Sequence, residues 1–195
     1  RAGNEFAFMM QAIQNIELLK GYEIQKIVTG CPHCFNTLKN EYPELGADFE
    51  VVHHTQLINQ LIREGRLLLK GGGKFNGKKI TFHDPCYLGR ANDVYEAPRE
   101  VLEKLDAELV EMKRSKAKGL CCGAGGAQMF KDAEKGNKEI NIERTEDAIE
   151  VNADYIATGC PFCNTMMTDG IKHFEKEEKV KVLDIAELIS NAADL

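Results

Sequence analysis

The sequence predicts an α/β protein made of two tandem Rossmann-like parallel βα repeats, the first of them truncated on its N-terminal side. Three observations lead there. The segment Ile27-Val28-Thr29-Gly30-Cys31-Pro32-His33-Cys34 returns as Ile156-Ala157-Thr158-Gly159-Cys160-Pro161-Phe162-Cys163, identical at six of eight positions with an offset of 129. Each copy is followed by a second apolar run, Val51-Val52 or Val182-Leu183, and then by Leu57-Ile58 or Leu188-Ile189 in a helical pattern. Short apolar runs thus alternate with helical patterns, as in strands joined by crossover helices.

Taken in order, Arg1-Ala2-Gly3-Asn4-Glu5 reads as the approach to a helix. A strand over 24–28 runs into Gly30-Cys31-Pro32, where Cys31 falls at a helix N-cap and Pro32 at the first helical position. A strand over 49–52 and a closing helix complete the first unit. The run Gly71-Gly72-Gly73-Lys74-Phe75-Asn76-Gly77 is the densest cluster of backbone breakers and marks the predicted boundary. Residues 1–70 are then the C-terminal half of one cysteine-rich domain, 71–78 a linker, and 79–195 a complete second domain. In that second domain, 79–82 reads as a strand entering His83-Asp84-Pro85-Cys86, 94–105 as a helix and 108–112 as a strand. A loop carries Leu120-Cys121-Cys122-Gly123-Ala124-Gly125-Gly126, and a charged helix over 137–150 leads into the repeated unit, with strands over 154–158 and 180–183.

Composition removes several function classes. With 25 basic and 31 acidic residues the net charge is −6, and no Lys/Arg stripe with interleaved aromatics occurs, so nucleic acid is not an expected partner. Apolar stretches such as Ala7-Phe8-Met9-Met10 and Leu67-Leu68-Leu69 fall far short of the roughly 18 residues that cross a bilayer, so this piece is expected to be soluble. Seven cysteines at clustered spacings, with no signal peptide in front, fit metal or redox chemistry in a reducing compartment better than a disulfide framework.

Five of the seven fall in the second domain: Cys86, the adjacent pair Cys121 and Cys122, and Cys160 with Cys163. A mononuclear zinc site uses four ligands, so five converging thiolates point to a polynuclear iron–sulfur centre. In the α/β reading all five lie in loops leaving strand C-termini, where open parallel sheets bind ligands. The helix N-terminus at Cys160-Pro161 favours thiolate, and Gly123, Gly125 and Gly126 let backbone N–H groups approach sulfur. Applied to Cys121, Cys122 and Cys86, the offset of 129 reaches positions before Arg1, so Cys31 and Cys34 are expected to be the remnant of a second site.

Among the other candidates, His33 corresponds to Phe162 and is expected to pack rather than ligate. His53-His54 with Cys31 and Cys34 offers a Cys₂His₂ zinc set from two strand ends. His83 is placed either as a partner to cluster sulfur or as a satisfied core histidine. Asn141 and Arg144 share a helix face that is expected to be solvated, as are His173 and the run Glu175-Lys176-Glu177-Glu178-Lys179. Arg90 is the cation expected near the anionic centre.

His83-Asp84-Pro85-Cys86, Cys121-Cys122-Gly123-Ala124-Gly125-Gly126 and Cys160-Pro161-Phe162-Cys163 resemble the cysteine-rich CCG domain of heterodisulfide reductase subunits and related oxidoreductases. Asp84-Pro85-Cys86-Tyr87-Leu88-Gly89-Arg90, Asn92-Asp93-Val94-Tyr95 and Ala97-Pro98-Arg99 are similar to bacterial iron–sulfur oxidoreductases associated with electron-transfer flavoprotein and fatty-acid oxidation. The resemblance implies a noncubane [4Fe-4S] cluster on Cys86, Cys121, Cys122, Cys160 and Cys163, in an oxidoreductase component that is not active alone. It implies a flavoprotein donor, a quinone or disulfide acceptor, and upstream ferredoxin-like and membrane segments that put the parent at the cytoplasmic face of a membrane. Some members hold zinc in one of two sites, so zinc at Cys31/Cys34 is the alternative cofactor. Two other readings stay open: a zinc-binding structural or docking module, and a thiol–disulfide oxidoreductase using Cys31/Cys34 and Cys160/Cys163.

Overall fold

Six parallel strands and seven α-helices form the computed structural model, which describes residues 3–69, 73–132 and 135–193. Helix α1 (Glu5–Gly21) starts where Asn4 Oδ1 accepts the Ala7 N–H at 3.0 Å. Strand β1 (Lys26–Thr29) then pairs in parallel with β2 (Glu50–His53), in register from Lys26↔Glu50 to Thr29↔His53. Between them Pro32 opens the short α2 (Pro32–Asn36), and α3 (His54–Arg63) closes the unit.

The second sheet has four strands in the order β4-β3-β5-β6. They are β3 (Lys79–Phe82), β4 (Glu108–Leu109), β5 (Tyr155–Thr158) and β6 (Lys181–Asp184). Helices α4 (Glu96–Glu103), α5 (Ile140–Glu150), α6 (Pro161–His173) and α7 (Ile185–Ala193) connect and close them. The α/β expectation is met, with two parallel sheets, and every expected strand is present. The chain steps from β3 outward to β4, then returns past β3 to β5 and on to β6. Strand order therefore reverses between β3 and β5, the place where loops part and leave a crevice at the strand C-termini.

Some boundaries differ from expectation. Strand β4 has two residues rather than five, because only the Val110 N–H, 2.9 Å from the Ile80 carbonyl, continues its pairing. After it Glu111 turns to pair with Arg99 and Met112 enters a core with Ile156 and Met167. Helices α4 and α5 begin at Glu96 and Ile140, later than the patterns suggested. Of the expected linker, residues 71 and 72 lie outside the described residues, and Phe75 is fully buried edge-on to Tyr155 at 5.2 Å.

The main core joins the two repeats. Phe75, Ile80, Phe82, Val101, Leu102, Ile185 and Leu188 form its centre, and Ile58 and Ile62 of α3 pack against it. The two closing helices begin with the same device. The His53 N–H donates to Gln56 Oε1 at 3.1 Å, and the Asp184 N–H donates to Glu187 Oε2 at 2.7 Å. A hydrogen bond of 2.9 Å between His54 Nε2 and Asp184 Oδ1 ties one repeat to the other. Among the described residues no helix is long and apolar enough to cross a membrane.

Helices α5 and α6 meet without a side chain at Gly170. A Cβ there would stand 2.8 Å from Thr145 Cβ, closer still to Thr145 Oγ1, and 3.3 Å from the Asn141 carbonyl. Thr145 is fully buried and its hydroxyl donates to that carbonyl at 2.8 Å, so it has nowhere to turn. Gly170→Ala gains about 1 kcal/mol of helix propensity, but overpacking costs about 1–3 kcal/mol. The expected outcome is net destabilisation, read as a lowered midpoint in urea unfolding.

Candidate metal centre

Three loops converge over the crevice between β3 and β5. The first leaves β3, where the His83 N–H still pairs with the Ala157 carbonyl at 2.9 Å. Pro85 then starts a turn, with the Leu88 and Gly89 N–H groups on its carbonyl, and this turn presents Cys86. The second loop leaves β5 through Gly159, placing Cys160 at the N-cap of α6 with Pro161 next and Cys163 in the first turn. The third, beyond β4, carries Cys121 and Cys122 and bends at Gly123, whose φ is +91°. A Cβ there would come within 3.2 Å of Ile140 Cβ, so both backbone angle and space call for glycine.

One carboxylate holds these loops together. Asp84 accepts two hydrogen bonds from Arg99 of α4, at 2.8 and 3.0 Å, and a third from the Lys116 N–H at 2.7 Å. Arg99 also reaches both oxygens of Glu111, at 2.6 and 3.0 Å. Arg90 donates to the Gly119 carbonyl and its charge favours the thiolate of Cys86, in line with the expectation that it lies near the centre.

The five cysteines of the second domain form a continuous file of sulfur contacts. Cys86 meets Cys121, Cys121 meets Cys122, Cys122 meets Cys163, and Cys163 meets Cys160. Cys122, Cys160 and Cys163 are buried, and Ala124, Met129, Phe162 and Met166 surround them. Hydrogen bonds from Cys122 and Cys86 hold Cys121 far below the ordinary thiol value, helped by the Gly123 N–H at 3.3 Å. Cys160 is lowered to about 5, chiefly by Cys163, with His33 and the Cys163 and Phe162 N–H groups assisting against burial. The donors move the other way: Cys122 rises to about 12 because it donates to Cys121, and Cys86 and Cys163 are likewise raised well above the ordinary thiol value. The pattern is two thiolates, Cys121 and Cys160, each accepting from neighbouring thiols, since five like charges cannot share one dry pocket. Cations bound among the sulfurs would remove that restriction, and this donor set fits a polynuclear metal group.

Below the file lies a polar layer that overturns one expectation. Asn141 and Arg144 were expected on a solvated face, yet both are buried, Arg144 completely. The Arg144 Nε–H donates to His83 Nδ1 at 3.0 Å, and Nη1 donates to the Arg114 carbonyl at 2.6 Å and Asp147 Oδ2 at 3.2 Å. His83 is fully buried, and burial together with the Arg144 charge pulls it down to about 3, so the ring is neutral. A ring nitrogen of His83 and the sulfurs of Cys122 and Cys163 lie within 4.8 Å of one another, and no other such three-donor group occurs among the described residues.

Cys31 and Cys34 sit outside this pocket, half-buried and exposed respectively. His33 does pack, between Tyr87 at 4.6 Å and Phe162 at 5.4 Å between ring centroids. It also does more than pack. It contacts both Cys160 and Cys31, which raise it to about 9, and so joins the first cysteine pair to the file of five. The Cys₂His₂ set is not gathered among the described residues. His53 Nδ1 is engaged by Thr55 at 2.8 Å and His54 Nε2 by Asp184. His173 is exposed, as expected.

Comparison with known proteins gives one matching family model, CCG, described as a cysteine-rich domain, over residues 1–39 and 80–168. The probable iron-sulfur-binding oxidoreductase FadF of Bacillus subtilis is 46% identical over 193 residues, 98% of this chain and 27% of that protein. The EtfAB:quinone oxidoreductase of Syntrophomonas wolfei is 41% identical over 200 residues, 100% of this chain and 28% of that protein. A component of the dihydromethanophenazine:CoB–CoM heterodisulfide reductase of Methanosarcina barkeri is 36% identical over 192 residues, 94% of this chain and 44% of that protein. The chain thus spans less than half of each of these relatives.

The Asp84–Arg99 pair can be tested directly. Both side chains are nearly without solvent contact, so Asp84→Ala leaves Arg99 with Glu111 as its remaining carboxylate beside the Tyr95 carbonyl, and takes the acceptor from the Lys116 N–H. Breaking one side of a buried pair typically costs about 3–5 kcal/mol. Loss of stability in that range is expected in equilibrium denaturant unfolding, with Asp84→Asn less affected because it keeps an acceptor oxygen.

Proposed function

We propose, from the premise that this chain belongs to the CCG cysteine-rich domain family, that it is an electron-transferring iron–sulfur portion of an oxidoreductase. Its cluster ligands are Cys86, Cys121, Cys122, Cys160 and Cys163. The observation that carries this reading is the file of five contacting sulfurs, drawn from three loops onto one strand-order reversal. Bound there, the cluster supplies one-electron chemistry. The chain's own residues hold the sulfurs, exclude water with Met129, Phe162 and Met166, and aim N–H groups of Gly123, Phe162 and Cys163 at negative sulfur. A cubane takes four terminal thiolates, so a fifth contacting thiol favours the noncubane [4Fe-4S] form.

Residues 79–195 form the complete cluster-binding unit in this reading, and Cys31 and Cys34 belong to a second site. The named relatives act with electron-transfer flavoprotein and quinone, or on a heterodisulfide. By analogy, the donor here is a flavoprotein and the acceptor a quinone or a disulfide. A quinone acceptor places the parent protein at a membrane surface.

The test is metal and acid-labile sulfide analysis of the chain purified without oxygen. Iron with sulfide is expected; zinc without sulfide, or a metal-free protein with a reactive low-pKa thiol, sinks the reading. Cys121→Ser and Cys122→Ser are each expected to lose most of the iron, sulfide and visible absorbance, while Cys34→Ser keeps them. Full retention in the first two variants rejects the ligand assignment.

A further inference from the structure

We infer that His83 is a fixed N–H donor to sulfur at the cysteine centre and not one of its ligands, and that Arg144 is the positioning residue that makes it so. The three-donor group of His83, Cys122 and Cys163 at first resembles a mononuclear metal site. The hydrogen bond behind it excludes the histidine as a ligand. A guanidinium group has donors only, so the Arg144 Nε–H at 3.0 Å makes His83 Nδ1 an acceptor, and the proton of the neutral ring sits on Nε2. A nitrogen carrying a proton has no lone pair to give a metal. It has an N–H to give a sulfur.

The surroundings fix this arrangement. Arg144 is fully buried, and its Nη1 is held by the Arg114 carbonyl and by Asp147, itself clamped by Arg114 at 2.7 and 3.0 Å. The His83 backbone is tied between strands by its bond to Ala157. Nε2 is buried and has no hydrogen-bond partner within the protein, which is the condition of a donor whose acceptor belongs to the site it faces. Donors to sulfur stabilise the more negative, reduced state and raise the reduction potential. Arg144 adds a buried positive charge one residue behind the donor.

This inference rests on the iron–sulfur reading for its effect on potential, while the tautomer stands apart from it. Two measurements separate them. In the metal-free chain with ¹⁵N-labelled histidine, the two-bond imidazole correlations of His83 are expected to report a proton on Nε2; a proton on Nδ1 overturns the inference. In the cluster-loaded chain, His83→Leu and His83→Gln are expected to keep wild-type iron and sulfide. The midpoint potential falls in His83→Leu and is restored toward wild type in His83→Gln, which again supplies an N–H. Loss of iron from both variants with wild-type far-UV circular dichroism makes His83 a ligand and overturns the inference, as does an unshifted potential in His83→Leu. A wild-type chain that binds no iron and sulfide defeats the iron–sulfur reading instead, and the tautomer then decides the role of Arg144.

Discussion

Between β3 and β5 the strand order reverses, and the loops at their C-terminal ends diverge over a crevice that neither sheet face covers. Cys86 enters it from one strand and Cys160 from its neighbour, so the paired strands supply the two ends of the sulfur file. The Cys121–Cys122 loop is different, since β4 pairs over only two residues and cannot aim a loop eleven residues further on. Side-chain charge does that work. Asp84 ties the β3 loop to α4 and to Lys116, and Arg114 ties the same segment to Glu143 and Asp147 of α5. Exposed pairs such as Lys172–Asp169 are worth about 0–1 kcal/mol. The buried ones are costly to break, and here they set the position of a loop that the sheet does not.

Buried charge is balanced pair by pair beneath the cysteines. In a medium of low dielectric a buried cation without a counter-charge is expensive. Arg99 has Asp84 and Glu111, Arg144 has Asp147, and Arg90 acts on Cys86 at the edge. Arg144 remains only partly satisfied inside the protein, with Nη2 unpartnered, and the nearby His83 has Nε2 in the same condition. Asn141 Oδ1 is likewise unpartnered, so this polar layer holds three of the buried side-chain atoms that the protein's own hydrogen bonds leave unpaired.

Much of this was legible in the residues. The repeat, the six strands and the convergence of five cysteines follow from apolar periodicity and from where Cys-Pro falls relative to each strand. Apolar periodicity does not reveal a core face built from polar residues. Helix α5 buries Asn141, Arg144, Thr145, Asp147 and Ala148, the spacing of a core face, but four of those five are polar. By hydropathy such a face reads as solvated. Its burial is intelligible only once Arg114, His83 and Asp84 are seen to meet it, and those partners come from elsewhere in the chain. His33 packs as its equivalent Phe162 indicates, but its contact with Cys160, 127 positions away, leaves no trace in the repeat.

The two Cys-Pro-x-Cys copies make a further point about what a motif contains. Both place the first cysteine at a helix N-cap followed by proline, and both follow a parallel strand. Yet Cys160 and Cys163 are buried, whereas Cys31 is half-buried and Cys34 exposed. The difference lies in the neighbours. Strand β5 has β3 on one side and β6 on the other, while β1 pairs only with β2 among the described strands. Val28 is accordingly 46% exposed where its equivalent Ala157 is 0% exposed. The motif supplies thiols and a helix dipole, but dryness comes from the loop of an adjacent strand. The structural unit that gathers the five cysteines is therefore a pair of neighbouring strands with their loops, and a Cys-Pro-x-Cys segment read alone describes half of it.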